Sequence, residues 1–297
     1  MFQDLRGFAQ FISVERGLML FMISVGTTFL MSQALVWPAA LFLGVIVFCI
    51  WSAVDAMNNI CDMDLDVLSD PIRAKFTKKL GKFGLFVAVG FVAVSIALGA
   101  VTLMPFVLLF VGLGIFFGII YSVPPFRLRK TAYKPIINFT VGAVPIMIIA
   151  AFFNVFSISI IMLILLIGVT TAVNSLWEDL GDFASDFQSG SRTIPIILGF
   201  RRGLVLTVAL GYVMIPLMVL VGLLFQLPLI YYIILTTLGS FITLRLIQKR
   251  QTLFKDKADT KKLFKLGEVL AKDFVIIAIV FTLGLMLSSL LKINPLF

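Results

Sequence analysis

Histidine is absent from this 297-residue chain, which removes the commonest general base and a common metal ligand together. Cysteine occurs only twice, as Cys49 and Cys61, both in or beside one apolar run. Small core residues explain them better than a disulfide or a thiolate metal site. Charge is scarce too: 13% of residues are Asp, Glu, Lys or Arg, about half the share of an ordinary soluble domain. No soluble core could hide the rest, because 61% of the chain is hydrophobic and its mean hydropathy is +1.12. A bilayer must be the solvent for most of that surface. The opening residues, MFQDLRGFAQFISVERG, lack the basic n-region and small-residue cleavage site of a secretory signal, so they are expected to be mature structure.

What is present is a series of apolar runs. Those of about 18 residues or more predict an all-α, polytopic membrane protein, a single domain over residues 1–297 with nine spanning helices. The spans fall roughly at 17–36, 39–57, 83–103, 105–121, 136–153, 157–176, 203–226, 228–247 and 274–291. Tight breaks (VWP at 36–38, MP at 104–105, NVFS at 154–157, QLP at 226–228) separate some neighbours, and proline at three of them suits a helix ending just before it. Long polar loops at about 59–82, 122–135, 177–202 and 248–273 separate the others.

Of the 24 Lys and Arg, all but Lys292 lie in the N-terminal segment or in the long loops and their edges. The positive-inside rule puts those loops and the N terminus in the cytoplasm and, after nine spans, the C terminus on the opposite side. The net charge of +9 then reflects topology and anionic lipid headgroups, with no nucleic acid as partner.

Two acidic clusters interrupt this pattern. NNICDMDLDVLSD, residues 58–70, follows the second span, and NSLWEDLGDFASDFQSGSRTIPIILG, residues 174–199, follows the sixth. Asn58, Asp62 and Asp66 are spaced i, i+4, i+8; Asp179, Asp182 and Asp186 are spaced i, i+3, i+7. Helices continuing past the membrane surface would line each set along one face. Like charges one turn apart repel unless a cation joins them, and oxygen donors without imidazole or thiolate suit Mg²⁺, whose usual partner is a phosphate or diphosphate. The bland alternative is that these acids only solvate loop ends or pair with nearby bases. Two equivalent, helically spaced clusters weigh against it. Asp64 and Asp70 lie off the first face, and Glu178 reads as peripheral. Arg73 and Arg192 follow the clusters, Arg16 precedes the first span, and YSVPPFRLRK supplies Tyr121, Arg127, Arg129 and Lys130. Such cations could clamp a diphosphate, although positive-inside charge alone accounts for any single one of them. Lys249 to Lys265 reads as a headgroup-contacting loop.

These residues resemble the UbiA-type intramembrane prenyltransferases. Asn58, Asp62 and Asp66 are similar to the family's NxxxDxxxD motif, and Asp179, Asp182 and Asp186 to its DxxDxxxD motif. GSRTIPIILG resembles the continuation after the second motif, and YSVPPFRLRK a stretch of the branch that includes the chlorophyll synthases. The chain departs from the pattern at Asn59, where many members have Asp, after Arg73, and at Pro125, where some have Lys. The resemblance implies nine helices around a central cavity and Mg²⁺-dependent transfer of a prenyl group from an isoprenoid diphosphate to a hydrophobic acceptor. It implies catalytic Asp62, Asp66, Asp182 and Asp186, which hold two Mg²⁺ ions with Asn58 and Asp179 in support. Arg16, Arg73, Tyr121, Arg127, Arg129, Lys130, Asn138 and Arg192 are the implied diphosphate contacts. Some of the 30 Phe and 12 Met would line a groove for the prenyl tail, with Gly118, Gly142 and Pro145 shaping helices around it. The rivals are a secondary transporter, a CDP-alcohol phosphotransferase and a scaffold. Transporters keep ionisable groups near the midplane, whereas only Asp55 and Asp273 approach a span here. The phosphotransferase signature is missing, and a scaffold leaves the paired acids without a cause.

Overall fold

Proline, left-handed residues and hydroxyl caps cut the chain into helices. The computed structural model describes residues 2–69, 71–254 and 260–294, with side chains described for 4–63, 72–249 and 265–294. The helices are α1 (Phe2–Phe11), α2 (Val14–Ser32), α3 (Trp37–Ser69), α4 (Pro71–Leu80), α5 (Lys82–Val101), α6 (Pro105–Ser122) and α7 (Lys134–Phe153). They continue with α8 (Ile158–Gly181), α9 (Phe183–Gln188), α10 (Ile194–Leu198), α11 (Phe200–Leu224), α12 (Leu229–Phe254) and α13 (Thr260–Ile293). A 3₁₀ turn, Leu128–Lys130, lies between α6 and α7, and no strand occurs among the described residues. Pro105 opens α6, where a missing N–H costs nothing. Asn154 ends α7 in the left-handed region at φ 50°, and the Ser157 hydroxyl accepts the Ile160 N–H to start α8.

Among the described residues, nine helices are long and apolar enough to cross a membrane: Val14–Ser32, Trp37–Met63, Lys82–Val101, Pro105–Ser122, Lys134–Phe153, Ile158–Gly181, Phe200–Leu224, Leu229–Lys249 and Lys265–Ile293. Number and order agree with the apolar runs. The ends differ, because an apolar count stops at the first charges while backbone hydrogen bonding does not. Helix α3 runs 33 residues, through the acidic stretch to Ser69, and α13 starts at Thr260 rather than near 274. The second acidic stretch behaves differently. Helix α8 ends at Gly181, Asp182 caps it, and α9 begins at Phe183, so Asp179, Asp182 and Asp186 do not share one continuous helix.

Helices α2, α3, α7, α8 and α13 form the inner part of the bundle. Helices α5, α6, α11 and α12 lie outside and present apolar side chains such as Phe86, Phe106, Val213 and Ile233 outward. The core between α3, α7 and α8 is aliphatic, with Leu43, Ile46, Ile146, Ile149, Leu163 and Leu166 buried. Two of its glycines are needed for close approach. A Cβ on Gly118 would stand 2.1 Å from Val54 Cγ2, and one on Gly142 2.1 Å from Thr171 Oγ1. These positions let α6 meet α3 and α7 meet α8. Pro145 lies inside α7 without ending it. The N-terminal helix α1 packs on α4 and is tied to α3 by Asn59, whose Nδ2 donates to the Phe11 carbonyl at 2.7 Å. The chain then turns at Ser13, φ 47°, into α2.

Candidate active site

The site is built where the acidic ends of α3 and α8 face a shared space. On α3, Asn58 and Asp62 stand one turn apart. Asn58 Oδ1 accepts the Ser122 hydroxyl at 3.0 Å and Arg129 Nη1 at 2.9 Å. The Asp62 carboxylate is fully buried, with Arg127 paired to one oxygen and Arg129 to the other. Arg127 also donates to the Cys61 carbonyl at 2.9 Å. Both guanidiniums come from the PPFRLRK segment, which Arg127, left-handed at φ 40°, bends into the 3₁₀ turn. Fixed forks of this kind match a carboxylate, and would match phosphate oxygens equally well.

On α8 the counterpart cation is Lys134, the first residue of α7. Its buried ammonium reaches Asp179 Oδ1 at 2.5 Å and Glu178 Oε2 at 3.7 Å. Glu178 is also held by Arg16 from α2 at 3.0 Å and by Asn174 at 3.2 Å. The second Asp179 oxygen is buried without a hydrogen-bond partner. Asp182 stays open at the surface although protein crowds it on other sides. That crowding, with Glu178 and Asp186 nearby, raises its carboxyl above the usual carboxylate range, while Lys134 and Arg129 pull it down. Burial lowers the Arg129 guanidinium, with the surrounding acids opposing. The two halves are joined at the rim, where the Arg192 N–H donates to the Lys130 carbonyl at 2.8 Å.

Between the halves lies a cavity of about 160 Å³, walled by α2, α3, α6, α7, α8 and α13. One end presents Arg16, Arg73, Arg129 and Lys134 beside Asp182 and Glu178; the other presents aliphatic and aromatic residues such as Leu20, Trp51, Ile167 and Phe281.

Of the residues expected from sequence, Asn58, Asp182, Arg16, Arg73, Tyr121, Arg129 and Asn138 line this cavity. Asp62 and Arg127 stand one step behind Arg129, and Asp179 is locked on Lys134. Asp186 sits on α9 and Lys130 in the 3₁₀ turn; Arg192 contributes through its backbone, its side chain being exposed. The Asp66 side chain and Asp70 lie outside the described residues. Glu178 is not peripheral: it ties α2, α7 and α8 together at the cavity wall. Lys134, Asp55 and Asn174 also line the cavity and were not expected. Lys134 lies hidden among inside-facing cations that topology alone could explain, Asp55 reads from sequence only as an acid that approaches a span, and Asn174, one turn before Glu178, carries a spacing signal.

Comparison with known proteins decides the family. The sequence matches the UbiA prenyltransferase family over residues 19–268, most of the chain. The chain belongs to that family. A UbiA homolog from Archaeoglobus fulgidus bound to GPP and Mg²⁺ superimposes with a TM-score of 0.66 at 15% identity, covering 93% of this chain and 99% of that one. The apo structure of a UbiA homolog from Aeropyrum pernix K1 gives 0.68 at 17% identity, covering 93% and 97%. A structure from work on digeranylgeranylglyceryl phosphate synthase gives 0.65 at 17%, covering 96% and 98%. At these identities the likeness is one of fold. No curated protein matches by sequence. For this UbiA family member, the two motif segments thus lie on the helices that flank the cavity.

Proposed function

We propose that this protein is a Mg²⁺-dependent prenyltransferase that joins the prenyl group of an isoprenoid diphosphate to a hydrophobic acceptor, an aromatic ring or a lipid, within the bilayer. The observation that carries this reading is the cavity's polarity: one end gathers cations and acids from α2, α3, α7 and α8, the other is apolar, which is the outline of an amphiphile with an anionic head. Family membership and homologues that hold GPP or DMAPP with Mg²⁺ support it.

The donor set fits a hard divalent ion, being all oxygen. Asp179 keeps one buried oxygen free, and Asp182 faces the cavity. Among the described residues, no three acidic or thiol groups stand close enough together to hold an ion by themselves. We assign one ion to Asn58, Asp62 and Asp66 and a second to Asp179, Asp182 and Asp186. When bound, these ions supply positive charge that meets the negative charge growing on the leaving diphosphate.

The chain's own residues do the rest. Arg16, Arg73 and Arg129 grip phosphate oxygens, Arg127 holds Asp62, and Tyr121 and Asn138 orient the head group. Lys130 and Arg192 fix the rim. The allylic C–O bond breaks with its electron pair leaving on diphosphate; the acceptor's nucleophilic atom forms the new bond and gives up a proton, which the released diphosphate or water takes. Aromatic walls such as Trp51 and Phe281 face the developing cation with their π-surfaces. The acidic loops and N terminus are assigned to the cytoplasm and the C terminus to the opposite side.

The test is incubation of the purified protein with Mg²⁺, labelled prenyl diphosphates and a panel of acceptors. Prenylated product and diphosphate should appear, and Asp62→Asn and Asp182→Asn should each abolish both product and Mg²⁺-dependent substrate binding. Intact binding and turnover in the two variants would refute the assignment.

A further inference from the structure

The face that α3 turns to the polar cavity extends beyond its metal-binding end. Trp51, Asp55, Asn58 and Asp62 are spaced i, i+4, i+7, i+11, so they stack on one side of the helix. At about 1.5 Å per residue, Asp55 stands about 10 Å further into the span than Asp62 and about 4.5 Å further than Asn58. Trp51, Asp55 and Asn58 all line the cavity. Asp55 lies between its charged end and its apolar end.

Asp55 also differs from the other buried aspartates among the described residues. Asp62, Asp179 and Asp273 each meet a base in an ion pair. Asp55 is 7% exposed and meets none, and its Oδ2 is buried without a hydrogen-bond partner. The charged groups facing it are Arg16, Glu178 and Arg73, with Ser13 beside it. Arg16 is held on Glu178 at 3.0 Å. One turn away, the Trp51 indole Nε1 is likewise buried without a partner. A buried polar group left unpaired is costly, so two on one face call for a common explanation. A hydroxyl supplies it, because it donates to a carboxylate and accepts from an indole N–H.

Of the components that the reaction brings into this cavity, ionised diphosphate is repelled by Asp55, and the prenyl chain has no hydrogen-bonding group. The acceptor remains. Resting on the function proposed above and deepening it, we propose that the acceptor presents a neutral hydroxyl to α3, donating to Asp55 Oδ2 and accepting from Trp51 Nε1, and that Asp55 thereby selects hydroxyl-bearing acceptors over their ethers. The chemistry is that of a phenol or an aliphatic alcohol. A hydrogen bond to the carboxylate raises electron density on the hydroxyl oxygen and, in a phenol, on the ring carbons beside and opposite it. The acceptor is thus oriented and made more nucleophilic, while its proton leaves to diphosphate or water as above.

Asp55→Leu removes a buried charge that has no ion-pair partner, Asp55→Asn keeps one oxygen acceptor in the same shape, and Trp51→Phe keeps a ring but loses the N–H. Kinetics at a fixed, saturating prenyl diphosphate use 1-naphthol as the phenol and a monoalkylglycerol as the alcohol, with their O-methyl ethers measured as inhibitors. Wild type should use at least one hydroxyl probe and bind its ether roughly tenfold to a hundredfold more weakly, the worth of a hydrogen bond to a charged group. Asp55→Leu should lose a similar factor in kcat/KM, mainly through acceptor KM, and should bind hydroxyl compound and ether alike. Asp55→Asn should lie between, and Trp51→Phe should lose part of the same preference. Mg²⁺-dependent binding of the prenyl diphosphate to Asp55→Leu should stay within about twofold of wild type, since only acceptor binding is removed. A wild type that binds donor but uses neither hydroxyl probe, or that binds ethers as well as hydroxyls, overturns the proposal. So does an absence of loss in the variants, which leaves water as the partner of both groups, and so does a loss of donor binding in Asp55→Leu, which moves Asp55 to the head group. A wild type that binds no prenyl diphosphate would instead overturn the function on which the proposal rests.

Discussion

Replacing Asn59 by Asp changes one buried amide into a carboxyl of nearly the same shape. Asn59 is 2% exposed, and its Nδ2 donates to the Phe11 carbonyl at 2.7 Å and reaches the Gln10 carbonyl at 3.5 Å. Those carbonyls end α1, where the last turn has no intrahelical partner left. An ionised carboxyl cannot donate, so the Phe11 carbonyl is left buried and unpaired, at about 1–3 kcal/mol, and oxygen faces oxygen besides. Phe11 and Ile12, both buried against Ala56 and Ala88, are the contacts put at risk. At about 2–4 °C per kcal/mol for a chain of this size, melting in detergent should drop by several degrees at neutral pH. The sign with pH follows from the donor. A protonated carboxyl can donate again, so acid restores the bond and the deficit shrinks as pH falls. Asn59→Ala lacks that recovery. Melting curves of both variants from neutral to acid pH, with limited proteolysis of α1, decide the matter. A loss for Asn59→Asp that does not vary with pH, or no loss, refutes the capping role.

Removing the Lys134 ammonium as Lys134→Met should destabilise the fold by about 3–5 kcal/mol, because Asp179 is 1% exposed and already has one unpaired oxygen. Adding Asp179→Asn should recover part of that loss in a double-mutant thermal melt. Gly118→Ala should cost about 1–3 kcal/mol through its collision with Val54, whereas Gly90→Ala, with nothing within 4 Å, should be neutral or stabilising by up to about 1 kcal/mol; paired melting curves compare them. At the surface, the Lys79 ammonium beside Asp4 holds its carboxyl below the usual range. This contribution to α1 docking is present above the unfolded carboxylate's range and is lost as pH falls through the lowered value. Asp4→Asn and added salt should both flatten that pH dependence of α1 protease protection.

The fold was legible because bilayer spans announce themselves by length and hydropathy. Nine apolar runs became nine candidate spans among the described residues, in the same order, and the proline breaks fell at helix starts such as Pro105. Helix ends were less legible. Charges mark the membrane surface, but they do not break the i to i−4 ladder, so α3 carries its helix through Asp62 and on to Ser69. Helix α8 stops at Gly181 with Asp182 as its cap, which made the second acidic stretch two helical pieces where spacing suggested one.

The site was legible to the extent that its chemistry repeats along one helix. The i, i+4 relation of Asn58 and Asp62 is visible in one dimension, and so is the clustering of Arg127 and Arg129. What could not be read is pairing between helices. Glu178 looks like a surplus acid beside Asp179 until Arg16 from α2 and Lys134 from α7 arrive on it in three dimensions. Lys134 likewise looks like one more inside-facing cation, yet it is buried, and a buried ammonium persists only where carboxylates surround it. The same logic explains why the chain tolerates so many charges in so apolar a setting. Asp62 is matched by Arg127 and Arg129, Asp179 by Lys134, and Glu178 by Arg16 and Lys134. Two of the acids assigned to cations, Asp62 and Asp179, are therefore each held beside a base. On the function proposed above, arrival of a metal–diphosphate pair would let acid and base exchange partners at once, whereas either charge alone would leave one of them buried and unpaired.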